Sequence, residues 1–303
     1  MDKKNLIVIV GPTAVGKTDL SIYLAKQLKT EVISADSRQF YIEMNIGTAK
    51  PTSDELAQVP HHFINNRKVD NYLNAGVFEI EALELINQLF EKYNELILVG
   101  GSGLYIDALL YGLDDMPLAD LKLREELTEK ANNGRFEELQ IQLQLLDPEY
   151  YEQMDKSNKQ RVVRALEVCI ASGMPYSKLR LLSKKERKFS SIAIGLEMER
   201  TVLFDRINKR VDLMVQSGLF DEVKKLIQYR NTYPLQTVGY KEVFQYFDEE
   251  LSLEEAIEQI KKNSRNYAKR QETWFKKDKN TTWFKPENRK EILSFVLNKL
   301  KKN

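Results

Sequence analysis

The stretch that most constrains the fold is LIVIVGPTAVGKT, residues 6–18. A short continuous apolar run ending on glycine reads as a strand buried on both faces of a parallel sheet. The residues that follow, TDLSIYLAKQL, carry apolar side chains at helical spacing. Between strand and helix lies G-x-x-x-x-G-K-[ST], whose backbone N–H groups, helix N-terminus and lysine together cradle phosphate oxygens. The candidate phosphate-binding residues are Gly11, Pro12, Thr13, Ala14, Val15, Gly16, Lys17 and Thr18. Lys17 supplies a point charge, and the Thr18 hydroxyl is a candidate magnesium ligand.

The plan of strand, turn and helix recurs. EVISAD ends a second short strand at Asp36, and ELILVGGSGLYIDALL at 95–110 repeats it with a glycine turn. Strands alternating with helices predict an α/β protein on a parallel sheet. From about residue 114 strands disappear, and LADLKLREELTEKAN, RFEELQIQLQLL and KQRVVRALEVCIASG read as long, charged, amphipathic helices. SSIAIGLEM at 190–198 restores strand character. The expected organisation is a core of residues 1–113 and 190–303 with a helical C-terminal part, interrupted by a helical insertion domain over 114–189.

With 303 residues, 42% of them hydrophobic, the chain can bury a core of this size. Its net charge of +1 means that affinity for a polyanion has to come from local clustering. The single cysteine, Cys169, excludes an intramolecular disulfide, and with only His61 and His62 a Cys/His zinc site is not expected. The N-terminal apolar run is too short for a secretory signal, and no stretch reaches the roughly 18 apolar residues of a membrane span. A cytoplasmic protein with no membrane partner is the expectation.

Three features bear on the chemistry. Asp36, at the end of the second strand in ISADSRQFY, can organise a metal ion, take a proton from a nucleophile, or cap a turn. The strand LILV ends instead in glycines, offering N–H donors and the Ser102 hydroxyl. Basic residues cluster: the window 261–279 has a local excess of six positive charges, with Lys261, Arg265 and Lys269 on one helical face and Ile257, Ile260, Tyr267 and Trp274 able to pack on another. A second cluster holds Lys156, Lys159, Arg161 and Arg164, and a third is KLRLLSKKERK at 178–188. Such patches suit RNA, although a solvated helix face has the same pattern. Arg206 and Arg210 either face the phosphate edge of the sheet or pair with Asp205 or Asp212.

In order, GPTAVGKT, SADSRQFY, IGTAKP, VPHHFI, GGSGLY, SNKQRVVRALEV, TVGYKE and KRQETWF make nearly the whole chain resemble the tRNA dimethylallyltransferases, or tRNA isopentenyltransferases, in their bacterial form. The resemblance implies a P-loop NTPase-like core whose helical insertion grips the tRNA anticodon stem-loop. It implies transfer of a dimethylallyl group from dimethylallyl diphosphate to N6 of the adenosine 3′-adjacent to the anticodon, in tRNAs reading codons that begin with U. Diphosphate is released, Mg2+ is the implied cofactor at Thr18, and a monomer is expected. Residue by residue, the resemblance gives diphosphate contacts to the loop through Thr18 and makes Asp36 the base, with Lys17 and Ser102 beside it. Asp36, Ser37, Arg38 and Gln39 would meet the target adenosine. Ser102, Arg124, Gln160, Arg161, Val162, Val163, Arg164, Gly239, Tyr240 and Lys241 would contact tRNA. Ser102 stands where the family usually has threonine, and Lys159 where members often carry an acidic or small polar residue. Phe40, Tyr41, Tyr105 and Trp274 are candidates for holding base or prenyl group, with core packing the alternative for each. The rivals are a P-loop kinase for a small metabolite and an RNA-binding, ATP-dependent switch.

Overall fold

The computed structural model describes residues 3–114, 116–117, 121–181 and 184–302. The chain divides into two compact units, Met1–Leu110 with Arg187–Asn303, and Tyr111–Glu186.

The first unit is built on one six-stranded sheet, β1 (Asn5–Val10), β2 (Val32–Ser34), β3 (His61–His62), β4 (Glu95–Val99), β5 (Ser190–Leu196) and β6 (Thr282–Phe284), in the order β3-β2-β4-β1-β5-β6. Every pairing is parallel; in the centre Asn5 lies opposite Glu95 and Ser190, and Ile9 opposite Val99 and Ile194. All six residues of β1 are buried, which is why five of them, residues 6–10, form a continuous apolar run after Asn5. The helix Lys17–Leu28 covers it, adding Leu20 and Leu24 to a core with Ile7, Ile97, Leu196 and Ile207. Each such side chain contributes about 1.5–3 kcal/mol on burial. The α/β P-loop class expected from the sequence is the class observed. β3 and β6 were not legible: they are edge strands of two and three half-buried residues, too short for a pattern.

The topology fixes where a ligand can sit. The chain leaves β1 for β2 on one side, whereas β4, adjacent to β1, leads to β5 on the other. Where neighbouring strands send their connections in opposite directions, a crevice opens beyond their carboxyl ends. The turn after β4 approaches the end of β2 so closely that a Cβ on Gly100 would lie 2.3 Å from the Ala35 carbonyl oxygen. Only glycine permits that approach, and the backbone uses it: Ala35 N donates to Val99 O (2.7 Å) and Ser102 N to Ala35 O (3.3 Å).

Two long helices, Arg200–Gln216 and Leu253–Phe275, complete this unit's site region. The basic face expected on the second is partly spent inside the protein. Lys261 donates to Asp212 (2.8 Å) and Glu258 (3.0 Å), and Arg265 to Asn208 Oδ1 (2.6 Å). Ile260 is buried as expected, but Trp274 is exposed, its Nε1 donating to Asp107 (2.9 Å).

The second unit comprises the helices Leu121–Asn132, Phe136–Leu146, Pro148–Gln153, Lys159–Ser172 and Tyr176–Leu179, with no strand among its described residues. Residues 118–120 of the first expected helix and 182–183 of the third basic cluster lie outside the described residues. Its core gathers Leu127, Leu139, Leu143, Val162, Leu166 and Cys169. The buried Asp147 accepts from Tyr150 N (3.0 Å) and Ser177 N (2.6 Å), capping the helix Pro148–Gln153 and anchoring the helix Tyr176–Leu179. Among the described residues no helix is long and apolar enough to cross a membrane.

Candidate active site

The loop after β1 is shaped by three residues with positive φ, Gly11 (146°), Ala14 (65°) and Gly16 (107°). Left-handed residues alternating with ordinary ones turn successive N–H groups to one concave side, an anion nest. Gly11 has a steric duty as well, since a Cβ there would lie 2.6 Å from Leu196 O. Pro12 lacks an N–H and serves instead as an acceptor: the Lys17 ammonium donates to Gly11 O (2.9 Å) and Pro12 O (2.8 Å), closing across the loop.

Burial lowers the Lys17 pKa to about 8; Asp36 works against the shift and Arg210 adds to it. Arg210, from the helix Arg200–Gln216, donates a short hydrogen bond to Thr13 Oγ1, and burial lowers its pKa too. Asp212, one of its two expected partners, serves Lys261 instead, so Arg210 is a phosphate-loop residue and not a surface ion pair. Two desolvated cations held by neutral oxygens, with Asp36 as the carboxylate acting on both, leave a surplus of positive charge. A bound anion offsets the cost of burying them. Because Lys17 loses its charge as pH rises through about 8, affinity for an organic diphosphate is expected to fall by up to about tenfold per pH unit above that point. Equilibrium dialysis between pH 7 and 9.5 checks this, and an affinity flat across pH 8 would exclude Lys17 as an anion contact.

Thr13 departs from the expectation. Its N–H donates to Gln271 Oε1 (2.8 Å) and its hydroxyl accepts from Arg210, so the protein itself consumes the backbone donor. Gln271, only 5% exposed, also donates through Nε2 to Gly101 O (2.9 Å) and so ties the loop after β1 to the turn after β4. Within KRQETWF nothing local marks Gln271 out, since the same helix also carries Gln259, Asn263, Ser264, Asn266 and Thr273.

Asp36 follows β2. Its Oδ1 accepts from Arg38 N (3.2 Å), so it caps a turn, and its charge also acts on Lys17, Arg210 and Tyr267. The Tyr267 hydroxyl is pushed up to about 12, by burial first and by Asp36 second. Ser102 holds the same turn: its Oγ accepts from Ser37 N (2.9 Å) and donates to Ser37 Oγ (3.0 Å). Both bonds need only a hydroxyl, which the serine side chain supplies. Gln39 Nε2 donates to Thr48 O (3.3 Å) and Ala49 O (3.2 Å), while the Arg38 guanidinium lies 4.9 Å from the centre of the Tyr233 ring with its Nη1 buried and unpartnered.

Several expected contacts are corrected by burial. Phe40, Tyr41 and Tyr105 pack with Phe63 and Phe78 in an aromatic core, with Phe40 and Phe78 ring centres 5.6 Å apart, and line no exposed channel. Tyr240 is fully buried and cannot touch RNA; its hydroxyl donates to Glu222 (2.7 Å). That carboxylate also accepts the amides of Asn45 (2.9 Å), Ile46 (2.8 Å) and Gly47 (3.0 Å), fixing the IGTAK loop. A Cβ on Gly47 would lie 2.5 Å from the Tyr240 ring. Gly47→Ala is therefore expected to cost about 1–3 kcal/mol, read as a lower urea midpoint at unchanged m. Gly239 begins the helix Tyr240–Phe247 with φ of 94°, and Lys241 beyond it is exposed.

Arg124 and residues 160–164 belong to the second unit. Gln160 and Arg161 are exposed on the first turn of their helix, but Val162 and Val163 are in the core, so neither side chain can meet RNA. Arg124 donates through Nε (2.9 Å) and Nη2 (2.7 Å) to Glu167 Oε2, which Arg164 also approaches (3.1 Å). This buried carboxylate gathers two half-exposed guanidinium groups. His61 and His62 are packing groups, bonded to Val59 O (2.8 Å) and Glu31 (2.6 Å). Among the described residues no group of three or more His, Cys, Asp or Glu could hold a metal ion.

A phosphate loop, a strand-end carboxylate and a serine-bearing glycine turn thus meet beyond the carboxyl ends of β1, β2 and β4. The family model described as IPP transferase matches residues 39–278. The chain belongs to the IPP transferase family. It is 46% identical to tRNA dimethylallyltransferase 1 of Bacteroides fragilis (strain YCH46) over 98% of both chains. It is 47% identical to tRNA dimethylallyltransferase of Flavobacterium johnsoniae over 98% of this chain and 99% of that one. Among solved IPP transferase relatives, the full-length tRNA isopentenylpyrophosphate transferase of Bacillus halodurans superposes with a TM-score of 0.73 at 42% identity, covering 99% of this chain and 98% of that one. A eukaryotic dimethylallyltransferase acting on tRNA gives a TM-score of 0.71 at 28% identity, over 90% of this chain and 70% of that one.

Proposed function

We propose that this chain transfers a dimethylallyl group from dimethylallyl diphosphate to N6 of the adenosine 3′-adjacent to the anticodon, in tRNAs reading codons that begin with U, and releases diphosphate. The observation that carries the reading is the pair of buried cations, Lys17 and Arg210, on a phosphate loop facing Asp36. Family membership supports it.

An exocyclic adenine amine is a weak nucleophile because its lone pair is delocalised into the ring. As the bond from N6 to the prenyl C1 forms and the C1–O bond breaks, Asp36 takes the N6 proton, and the diphosphate departs with the electron pair. Lys17, Arg210 and the loop amides hold the charge that develops on it. The target base has to leave its stack to reach the site, and Arg38, with an unpaired buried N–H, offers it a donor.

The Thr18 hydroxyl is a hard oxygen donor of the kind Mg2+ takes, and alone it makes no closed cage, which suits an ion completed by phosphate and water. Mg2+ at Thr18 would neutralise charge on the diphosphate.

The tRNA anticodon stem-loop is assigned to the second unit, whose Lys159, Gln160 and Arg161 are exposed together. Replacing Lys159 and Arg161 by alanine is expected to weaken tRNA binding and to reduce the slope of log affinity against log salt by about one to two units. An unchanged slope would mean that this turn is only solvated. A cytoplasmic monomer completes the reading. The function is tested against the kinase rival by supplying either dimethylallyl diphosphate or ATP with unmodified tRNA. Release of diphosphate from the former, dependent on tRNA, supports transfer; turnover of ATP with a small hydroxylated acceptor supports the rival.

A further inference from the structure

Gln271 occupies a backbone donor near the start of the phosphate loop. Its Oε1 accepts the Thr13 N–H at 2.8 Å, its Nε2 is held by Gly101 O at 2.9 Å, and the side chain is 5% exposed. The second bond fixes the amide's orientation, because a flipped amide would set its NH2 group against the Thr13 N–H and its oxygen against a carbonyl. The amide is also packed closely on the turn after β4: a Cβ on Gly101 would lie 2.3 Å from Gln271 Nε2. Thr13 Oγ1 accepts from Arg210, so the backbone N–H is the Thr13 donor that the protein itself consumes.

We propose that Gln271 sets the loop's selectivity for a diphosphate over a triphosphate. The motif at residues 11–18 is one that in general wraps the phosphates of nucleoside triphosphates. A chain of three phosphates needs more donors than one of two. Here one N–H at the start of the loop is consumed, and a carbonyl oxygen with partial negative charge stands in its place. That oxygen repels an additional phosphate and leaves a shorter one undisturbed on Lys17 and the amides that follow, a device that disfavours the wrong ligand. The inference rests on the phosphate-loop site of the proposed function and deepens it.

The test is equilibrium binding of inorganic diphosphate and inorganic triphosphate to the full-length chain by calorimetry, with wild type, Gln271→Met and Gln271→Glu. The wild type is expected to favour diphosphate. Gln271→Met keeps the volume but frees the Thr13 N–H, and is expected to shift the ratio of the two affinities toward triphosphate by about tenfold. Gln271→Glu keeps an acceptor oxygen and adds charge, and is expected to shift it the other way. Equal loss of both affinities in Gln271→Met, with the ratio unchanged in both variants, would reduce Gln271 to a structural tie and overturn the proposal. A wild type that binds triphosphate as well as diphosphate also overturns it. Binding of neither by the folded wild type overturns the anion site itself, and with it the proposed function.

Discussion

Asp36→Asn is expected to lower the rate of prenyl transfer by about a hundredfold to ten-thousandfold, the usual range for removing a positioned base. The substitution is conservative where the fold is concerned. An asparagine oxygen can still accept from Arg38 N, as Asp36 Oδ1 does at 3.2 Å, so the turn that carries Ser37 and Gln39 is kept. What is lost is the ability to take a proton and the negative charge acting on Lys17, Arg210 and Tyr267. Single-turnover kinetics with saturating tRNA separates this from a binding defect: the chemical step slows while tRNA affinity stays within a few-fold. Transfer at the wild-type rate would remove Asp36 as the base.

Lys17→Met is expected to cost about a hundredfold to a thousandfold in transfer, comparable to losing one preorganised donor to a developing negative charge. Its effect on stability has the opposite sense from an ordinary core substitution. The ammonium is desolvated enough to lower its pKa to about 8, so the folded state bears a penalty for holding it charged below that pH, relieved between about 8 and the ordinary 10.5. Replacing it by an apolar chain of similar length removes the penalty, and the melting temperature at pH 7 is expected to hold or rise while activity collapses. A variant that loses activity and unfolds together would show that Lys17 is a structural strut across Gly11 O and Pro12 O.

The phosphate loop and the central strands were legible in the sequence because they are local. β1 needs five consecutive apolar residues, and the loop has glycines at two of its three positive-φ positions, Gly11 and Gly16, with Ala14 the third. Residues 160–164 show the limit. The motif reads as one unit, but in a helix neighbouring residues face different ways, so Gln160 and Arg161 meet solvent while Val162 and Val163 fill the core. Tyr240 shows the same limit: the resemblance implies a tRNA contact for the whole GYK stretch, whereas the Tyr240 side chain is buried with its hydroxyl on Glu222 and only Lys241 is exposed. Gln271 and Arg210 reach Thr13 across 258 and 197 residues of chain, a separation that no periodicity encodes. For Arg210 the sequence offered two partners, and the choice was decided by Lys261, which takes Asp212.

The central claim is that Lys17, Arg210 and Asp36 serve prenyl transfer to tRNA. It is tested most directly by incubating the purified chain with Mg2+, labelled dimethylallyl diphosphate and unmodified tRNA whose anticodon ends in A, then digesting the RNA and weighing its nucleosides. The account predicts one N6-dimethylallyl adenosine per tRNA, in the fragment that carries the anticodon and on the nucleotide immediately 3′ of it. Unmodified adenosine from a folded, tRNA-binding protein, or label on any other nucleotide, would contradict it.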